Sequence, residues 1–204
     1  MDTPEKYARI RLSLQDITPE IWRRVEVPLG MNLKGLHDVI QAVIGWSDYH
    51  LFEFRIGEKS YGVPAPDEDY GRKVHHAKSM KLQALVNKGI ERFDYAYDFG
   101  DDWHLTVVIE AVGETDPTLF YPRFVDGARR GPPEDVGGPF GYPDFLKAVT
   151  NRRNREHRRL IEWYGGPYDP DDLDLSNMRE RLAWIVQRRQ AGKAAYASAS
   201  ARRT

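Results

Sequence analysis

KYARIRLSLQDITPEIWRRVEVP, residues 6–28, carries the first statement of the fold. Tyr7, Arg9 and Arg11 alternate with Ala8, Ile10, Leu12 and Leu14, so an extended chain would bury one face and wet the other. After the short ITPE link, Ile21, Arg23, Val25 and Val27 share one parity, while Trp22, Arg24 and Glu26 share the other. The pattern predicts two strands joined by a hairpin or tight crossover, the second ending at Pro28, which cannot donate to a sheet ladder.

Outward from this pair the periodicity changes. NLKGLHDVIQAVIGW places Leu33, Leu36, Ile40 and Val43 at helical spacing, widened by Val39 and Ile44. Asn32 suits the N-cap and Gly45 the stop. HLFEFRIGEKSYG returns to alternation as a hairpin. Residues 63–79 read as a polar loop with solvated His75 and His76, and KLQALVNKG as a short helix. RFDYAYDF and HLTVVIEAVG are strands separated by GDDW, with Leu105, Val107 and Ile109 on one face. Residues 113–141, rich in Pro and Gly, are expected to be a long irregular loop, a length usually tied to function or poor order. Helices are then expected at YPDFLKAVTN, with Pro143 near its first turn, at NREHRRLIEWYGG, and at DLDLSNMRERLAWIVQRRQ. The order predicts an α+β fold: a mainly antiparallel sheet with helices packed on one face, as a single domain over 1–190 with C-terminal helices and a flexible basic tail over 191–204.

Bulk composition narrows the function classes. The 204 residues include 41% hydrophobic and 12% aromatic side chains, enough for a substantial core. The chain has no cysteine, which excludes disulfides, thiolate metal ligands and cysteine nucleophiles. No apolar run approaches the ~18 residues of a membrane span, and MDTPEKYARI lacks a signal-peptide core, so no membrane partner and a cytoplasmic location are expected. Neither GxGxxG nor GxxxxGK[ST] occurs, leaving dinucleotide and P-loop chemistry without support. Net charge is −1, but residues 151–204 carry +5 and residues 1–150 carry −6. Between Arg92 and Arg123 there are seven acids and no Lys or Arg.

Candidate sites cluster in that acidic part. YAYDFGDDWHLTVVIE sets Asp98, Asp101 and Asp102 beside Trp103 and His104. Carboxylates so close repel unless they are solvated, accept turn N–H groups or meet a cation, and with His104 they offer oxygen and imidazole to a hard or borderline metal. The plainer account is a hairpin turn, which favours Asp and Gly, with Trp103 simply packed. GPPEDVGG presents Glu134 and Asp135 between a stiff Pro132-Pro133 and a Gly137-Gly138 pair that lets backbone come close to something; the plainer account is pairing with Arg129 or Arg130, or capping. His37 and Gln41 lie four apart beside the apolar stripe, a usual place for a satisfied structural His, while His50 stands at the helix-to-strand joint. Arg152, Arg155 and Arg159 would share one side of a helix and are the nucleic-acid candidates, against a solvated face with pairs such as Arg158–Glu162.

PEIWRRVEVP, LHDVIQAVIGWSDYHLFEF, YAYDFGDDWHLTVVIE and GPPEDVGGPFGY, in that order, resemble the plasmid open-reading-frame-3-like family named from a Ri plasmid, some of whose members are labelled insertion-element passenger proteins. The resemblance runs from about Tyr7 to about Arg181. It implies an α+β fold and association with plasmids and mobile elements, but no activity. Many relatives carry cysteines around the PPED segment, where this chain has Phe124, Gly131 and Val136, so any shared role must rest on carboxylates, histidines, aromatics and backbone.

The expectation is a binding module whose acidic site is built from the YDFGDDWH turn, the PPEDVGG loop and His50. The expected binding residues are His50, Asp98, Asp101, Asp102, Trp103, His104, Glu134 and Asp135, and the ligand a protein surface, a peptide or a cation. The rival reading is a metal-dependent hydrolase or nuclease using the same carboxylates with a divalent ion. A DNA-binding accessory role through Arg152, Arg155 and Arg159 is the third.

Overall fold

The structure is a computed structural model that describes residues 5–64 and 73–201. The first two strands form as the alternation requires. β1 (Lys6–Leu14) and β2 (Trp22–Pro28) pair antiparallel, with Ile10 opposite Val25. Ala8, Ile10, Leu12, Leu14, Val25 and Val27 are buried, whereas Arg9, Arg11 and Arg24 stay partly exposed on the other face. Arg23, on the buried parity, is the exception. Its guanidinium donates to the Val43, Trp22 and Ala128 carbonyls at 2.8, 2.8 and 2.9 Å. Desolvation lowers its pKa to about 10, so it remains charged at neutral pH.

Helix α1 (Leu33–Ile44) follows, with the Asn32 side chain accepting from the Gly35 N–H and Gly45 closing the helix at φ 103°. Its whole apolar stripe is buried, and each such Leu, Ile or Val contributes about 1.5–3 kcal/mol. β3 (Phe52–Ile56) and β4 (Lys59–Gly62) form the expected hairpin. In the segment expected as a polar loop, residues 65–72 lie outside the described residues. Beyond them Val74–His76 forms the short strand β5, parallel to β4, and Ala77–Ser79 forms a 3₁₀ turn. Helix α2 (Leu82–Val86) leads to β6 (Arg92–Tyr97) and the long β7 (Trp103–Glu114).

The long irregular loop expected over 113–141 contains a strand that composition conceals. β8 (Arg123–Ala128) pairs with β2 at the sheet edge. RFVDGA has no alternation to announce it; its ladder to β2 and the Arg123–Glu26 contact at 2.7 Å hold it. The sheet order is β5-β4-β3-β6-β7-β1-β2-β8, antiparallel except between β5 and β4. This is the mainly antiparallel α+β fold.

Helix α3 (Gly138–Thr150) starts a full turn earlier than expected, so Pro143 sits inside it and Pro139 occupies the first turn. Helical pairing has begun by Gly141, whose N–H donates to the Gly137 carbonyl at 2.8 Å, so Pro143 removes one interior bond, the one to the Pro139 carbonyl. Helix α4 (His157–Tyr164) starts later than expected, because residues 151–156 form a turn in which Asn151 and Asn154 accept the Arg153 and Glu156 N–H groups. Arg152 and Arg155 are therefore not helical, and the expected row of three arginines on one helix does not form. Helix α5 (Leu175–Ala201) continues unbroken through residues 191–201, the stretch expected as a flexible tail. There Lys193 pairs with Glu5 at 2.8 Å. Among the described residues no helix is long and apolar enough to cross a membrane.

Candidate metal centre

Three loops meet at one end of β6. The first is residues 45–51, which leave α1 and carry His50. The second is the β6–β7 turn, residues 98–102. The third is the approach to α3, residues 131–137, with Glu134 and Asp135. His50 Nε2 lies 3.5 Å from Asp98 Oδ2 and 3.2 Å from Asp135 Oδ1. One donor atom from each of the three falls within 4.8 Å of the others.

Local chemistry explains how each side chain is presented. Asp98 ends β6 at φ 56°, a left-handed conformation that Asp tolerates better than most residues. Its Oδ1 accepts the Gly100 and Asp101 N–H groups at 3.0 and 3.3 Å, which closes the turn. Oδ2 is left to face His50. The Asp98 side chain is only 9% exposed. Asp135 is also left-handed, at φ 58°. His50 Nε2 is buried yet makes no aligned hydrogen bond. A proton on Nδ1 would leave the Nε2 lone pair facing two carboxylates. Asp98 thus makes an Asx turn and also offers an oxygen to the cluster.

The remaining sequence candidates fall into place around this trio. Glu134 does not face it. Its carboxylate accepts the Ser47 N–H at 2.9 Å and the Tyr97 hydroxyl in a short bond. The same hydroxyl accepts the Tyr49 and His50 N–H groups at 3.2 and 3.4 Å. Desolvation, then the bond to Glu134, pushes the Tyr97 phenol far above its ordinary value, so it stays a donor. Glu134 and Tyr97 therefore position the loop that bears His50. Asp101 accepts the Gly137 N–H at 3.1 Å, tying the turn to the third loop. Trp103 is fully buried in the core. Asp102 and His104 pair with each other at 2.8 Å, and Asp102 is well exposed. The third loop is further held by the Trp46 indole, which donates to the Pro132 carbonyl at 3.0 Å, and Arg181 of α5 donates to the Trp46 carbonyl. Sequence reasoning did not single out Tyr97 or Ser47. Tyr97 looked like an ordinary aromatic of a buried strand, and Ser47 acts through its backbone.

A second histidine–acid group, His37, Asp38 and Asp48, lies nearby. There Lys34 already reaches Asp38 and Asp48, at 2.7 and 3.2 Å. His37 is fully buried, with Nε2 2.7 Å from Asp48 Oδ1 and Nδ1 2.8 Å from the Tyr95 hydroxyl. The Asp48 N–H in turn donates to the Gln41 side chain at 2.9 Å. This is the satisfied structural histidine that its place beside the stripe suggests. The hydrogen bond from His37, then the charges around it, hold Asp48 down at about 2.

Burial lowers the His37 pKa. The unfolded chain therefore takes up a proton near pH 6.5 that the folded chain resists, and stability falls as pH drops below that value. Chemical unfolding at pH 7.5 and 5.5 should register this, with a slope of at most about 1.4 kcal/mol per pH unit from one proton. A His37→Gln variant should be less stable throughout and lose less on acidification. An unchanged slope would assign the effect to other groups.

Carboxylate and histidine groups that could bind a metal are thus present. The His50 trio supplies one imidazole and two carboxylates, a donor set for zinc, manganese or magnesium. With bonds near 2.0–2.2 Å, adjacent donors around such an ion lie about 3.0–3.5 Å apart. The His50 separations fall in that range.

The chain is 36% identical over 180 residues to the uncharacterized protein y4hQ of Sinorhizobium fredii (strain NBRC 101917 / NGR234), an alignment covering 85% of this chain and 89% of that protein. It resembles the crystal structure of protein of unknown function MM3350 from Methanosarcina mazei Go1 with a TM-score of 0.75 and 32% identity, over 84% of this chain and 97% of that one. Residues 6–177 match the model of one plasmid-derived family. The chain therefore belongs to the plasmid pRiA4b ORF-3-like protein family.

Proposed function

We propose that this protein is a metal-dependent binding module, in which His50, Asp98 and Asp135 hold one divalent cation. The observation that carries the reading is the buried, unbonded Nε2 of His50 at 3.2 and 3.5 Å from two carboxylate oxygens. A buried ring nitrogen facing acids without an aligned bond is costly unless something lies between them. A divalent cation satisfies all three groups at once and removes the repulsion between Asp98 and Asp135. Three protein ligands leave positions open, where an anion or a carbonyl of a bound molecule would complete the coordination.

Those open positions also support the second reading, a metal-dependent hydrolase, because catalytic sites keep a place for water. The ion would then lower the pKa of its bound water and polarise the ester or phosphate under attack.

Thermal unfolding with Mn²⁺, Zn²⁺ or Mg²⁺ tests the shared premise. At 100 times Kd the bound ion contributes about 2.7 kcal/mol, which for a chain this size raises Tm by roughly 5–10 °C. No shift with any of the three ions, together with metal-free purified protein, would sink the reading.

A further inference from the structure

A cleft of about 530 Å³ opens between α3 and α4, and Asp135 forms part of its wall. That volume lies in the range of small-molecule sites, about 300–1,000 Å³. Its apolar lining includes Phe145, Leu160 and Trp163, with the Trp163 ring edge-to-face against Phe145 at 5.9 Å and 45% of that residue exposed. Its charged lining includes Arg155, Arg159 and Glu156, and a Lys147–Asp144 pair at 2.9 Å. Two of the three arginines that the sequence singled out, Arg155 and Arg159, thus line a cavity that also reaches Asp135. The loop that carries Arg155 is fixed to α3, because the His157 ring donates to the Ala148 carbonyl at 2.8 Å.

We infer that this cleft binds a nucleoside monophosphate, its base against the Trp163–Phe145 wall and its phosphate between the arginines and the cation. The inference rests on the metal-dependent reading above. Three features select this class. The apolar wall with a partly exposed indole suits a planar ring, which stacks without regard to sequence. Two guanidiniums on the cleft wall, Arg155 just before α4 and Arg159 within it, suit a phosphate, which accepts paired N–H bonds. The ion shares Asp135 with the cleft and would leave open positions for phosphate oxygens. Glu156 now occupies the arginines, at 2.7 Å from Arg159 and 3.7 Å from Arg155. The Arg155 and Arg159 side chains are 93% and 66% exposed, and such surface pairs exchange partners at little cost.

The test is calorimetric titration of the full chain with Mn²⁺ alone, then of the Mn²⁺-loaded chain with adenosine 5′-monophosphate, adenosine or inorganic phosphate, and of the metal-free chain with the monophosphate. The monophosphate should bind at least about tenfold tighter than either half, and at least about tenfold tighter with Mn²⁺ than without. The R155Q/R159Q double variant should lose about tenfold in monophosphate affinity and bind Mn²⁺ unchanged. A W163L variant should bring the monophosphate down toward phosphate. Mn²⁺ binding without monophosphate binding, or monophosphate binding indifferent to Mn²⁺ or to R155Q/R159Q, overturns the inference and leaves the metal reading standing. If Mn²⁺ itself does not bind, both fall.

Discussion

Replacing Asp98 by asparagine should lower Mn²⁺ or Zn²⁺ affinity by roughly 100-fold or more while the chain stays folded. Removing an outer-shell partner of a metal ligand typically costs about 10–100-fold, and Asp98 is proposed as a ligand itself. Asparagine is the informative choice because it separates charge from conformation. It tolerates the left-handed backbone at φ 56°. Its carbonyl oxygen can keep accepting the Gly100 and Asp101 N–H groups that close the turn. The new amide then points at His50 Nε2 as a neutral donor, so the apo protein loses one repulsive charge and little else. Urea unfolding should place the variant within about 1 kcal/mol of the parent, the scale of one hydrogen bond. Alanine would confound the result, since it strains the backbone and orphans two N–H groups together. Wild-type metal affinity in the asparagine variant, measured against a chelating dye, would remove Asp98 from the site.

Gly138→Ala should be the most damaging single change for the fold around the site. Gly138 adopts φ 64°, and a Cβ there would stand 2.0 Å from the Asp101 carbonyl oxygen. That neighbour is backbone, so no rotamer change relieves the contact. Either the third loop leaves the β6–β7 turn or the turn opens, and both break the Gly137–Asp101 bond at 3.1 Å. A forced left-handed alanine plus a backbone collision costs on the order of 3–5 kcal/mol, a large part of the stability of an ordinary domain. Urea denaturation gives the value directly. A cost below about 1 kcal/mol would mean that the two loops part freely, and the convergence of Asp98 with Asp135 would lose its support.

Much of this architecture follows from residue order alone. The alternation of residues 6–28 required two half-buried strands because successive side chains point to opposite faces. The stripe from Leu33 to Ile44, with Asn32 before it and Gly45 after it, required the helix between them. Spacing and composition also marked the YDFGDDWH turn, the PPEDVGG loop and His50, because acids so crowded, and glycines so placed, are unfavourable without a local reason. β8 and the first turn of α3 were not legible. Their short segments have no periodicity, and pairing with β2 or packing near Asp101 stabilises them, which are contacts between residues distant in sequence.

Within the candidate site the division is sharper. The list of titratable residues came from the sequence, but their separate jobs did not. Asp98, Asp135 and His50 face one another, Glu134 braces the His50 loop through Tyr97 and Ser47, Asp101 holds two loops together, and Trp103 fills the core. Which carboxylate oxygen is left without a backbone donor depends on turn geometry and on loops more than thirty residues apart meeting at the end of β6. Local chemistry determined where acids would gather; only the tertiary contacts decided which of them face a common point.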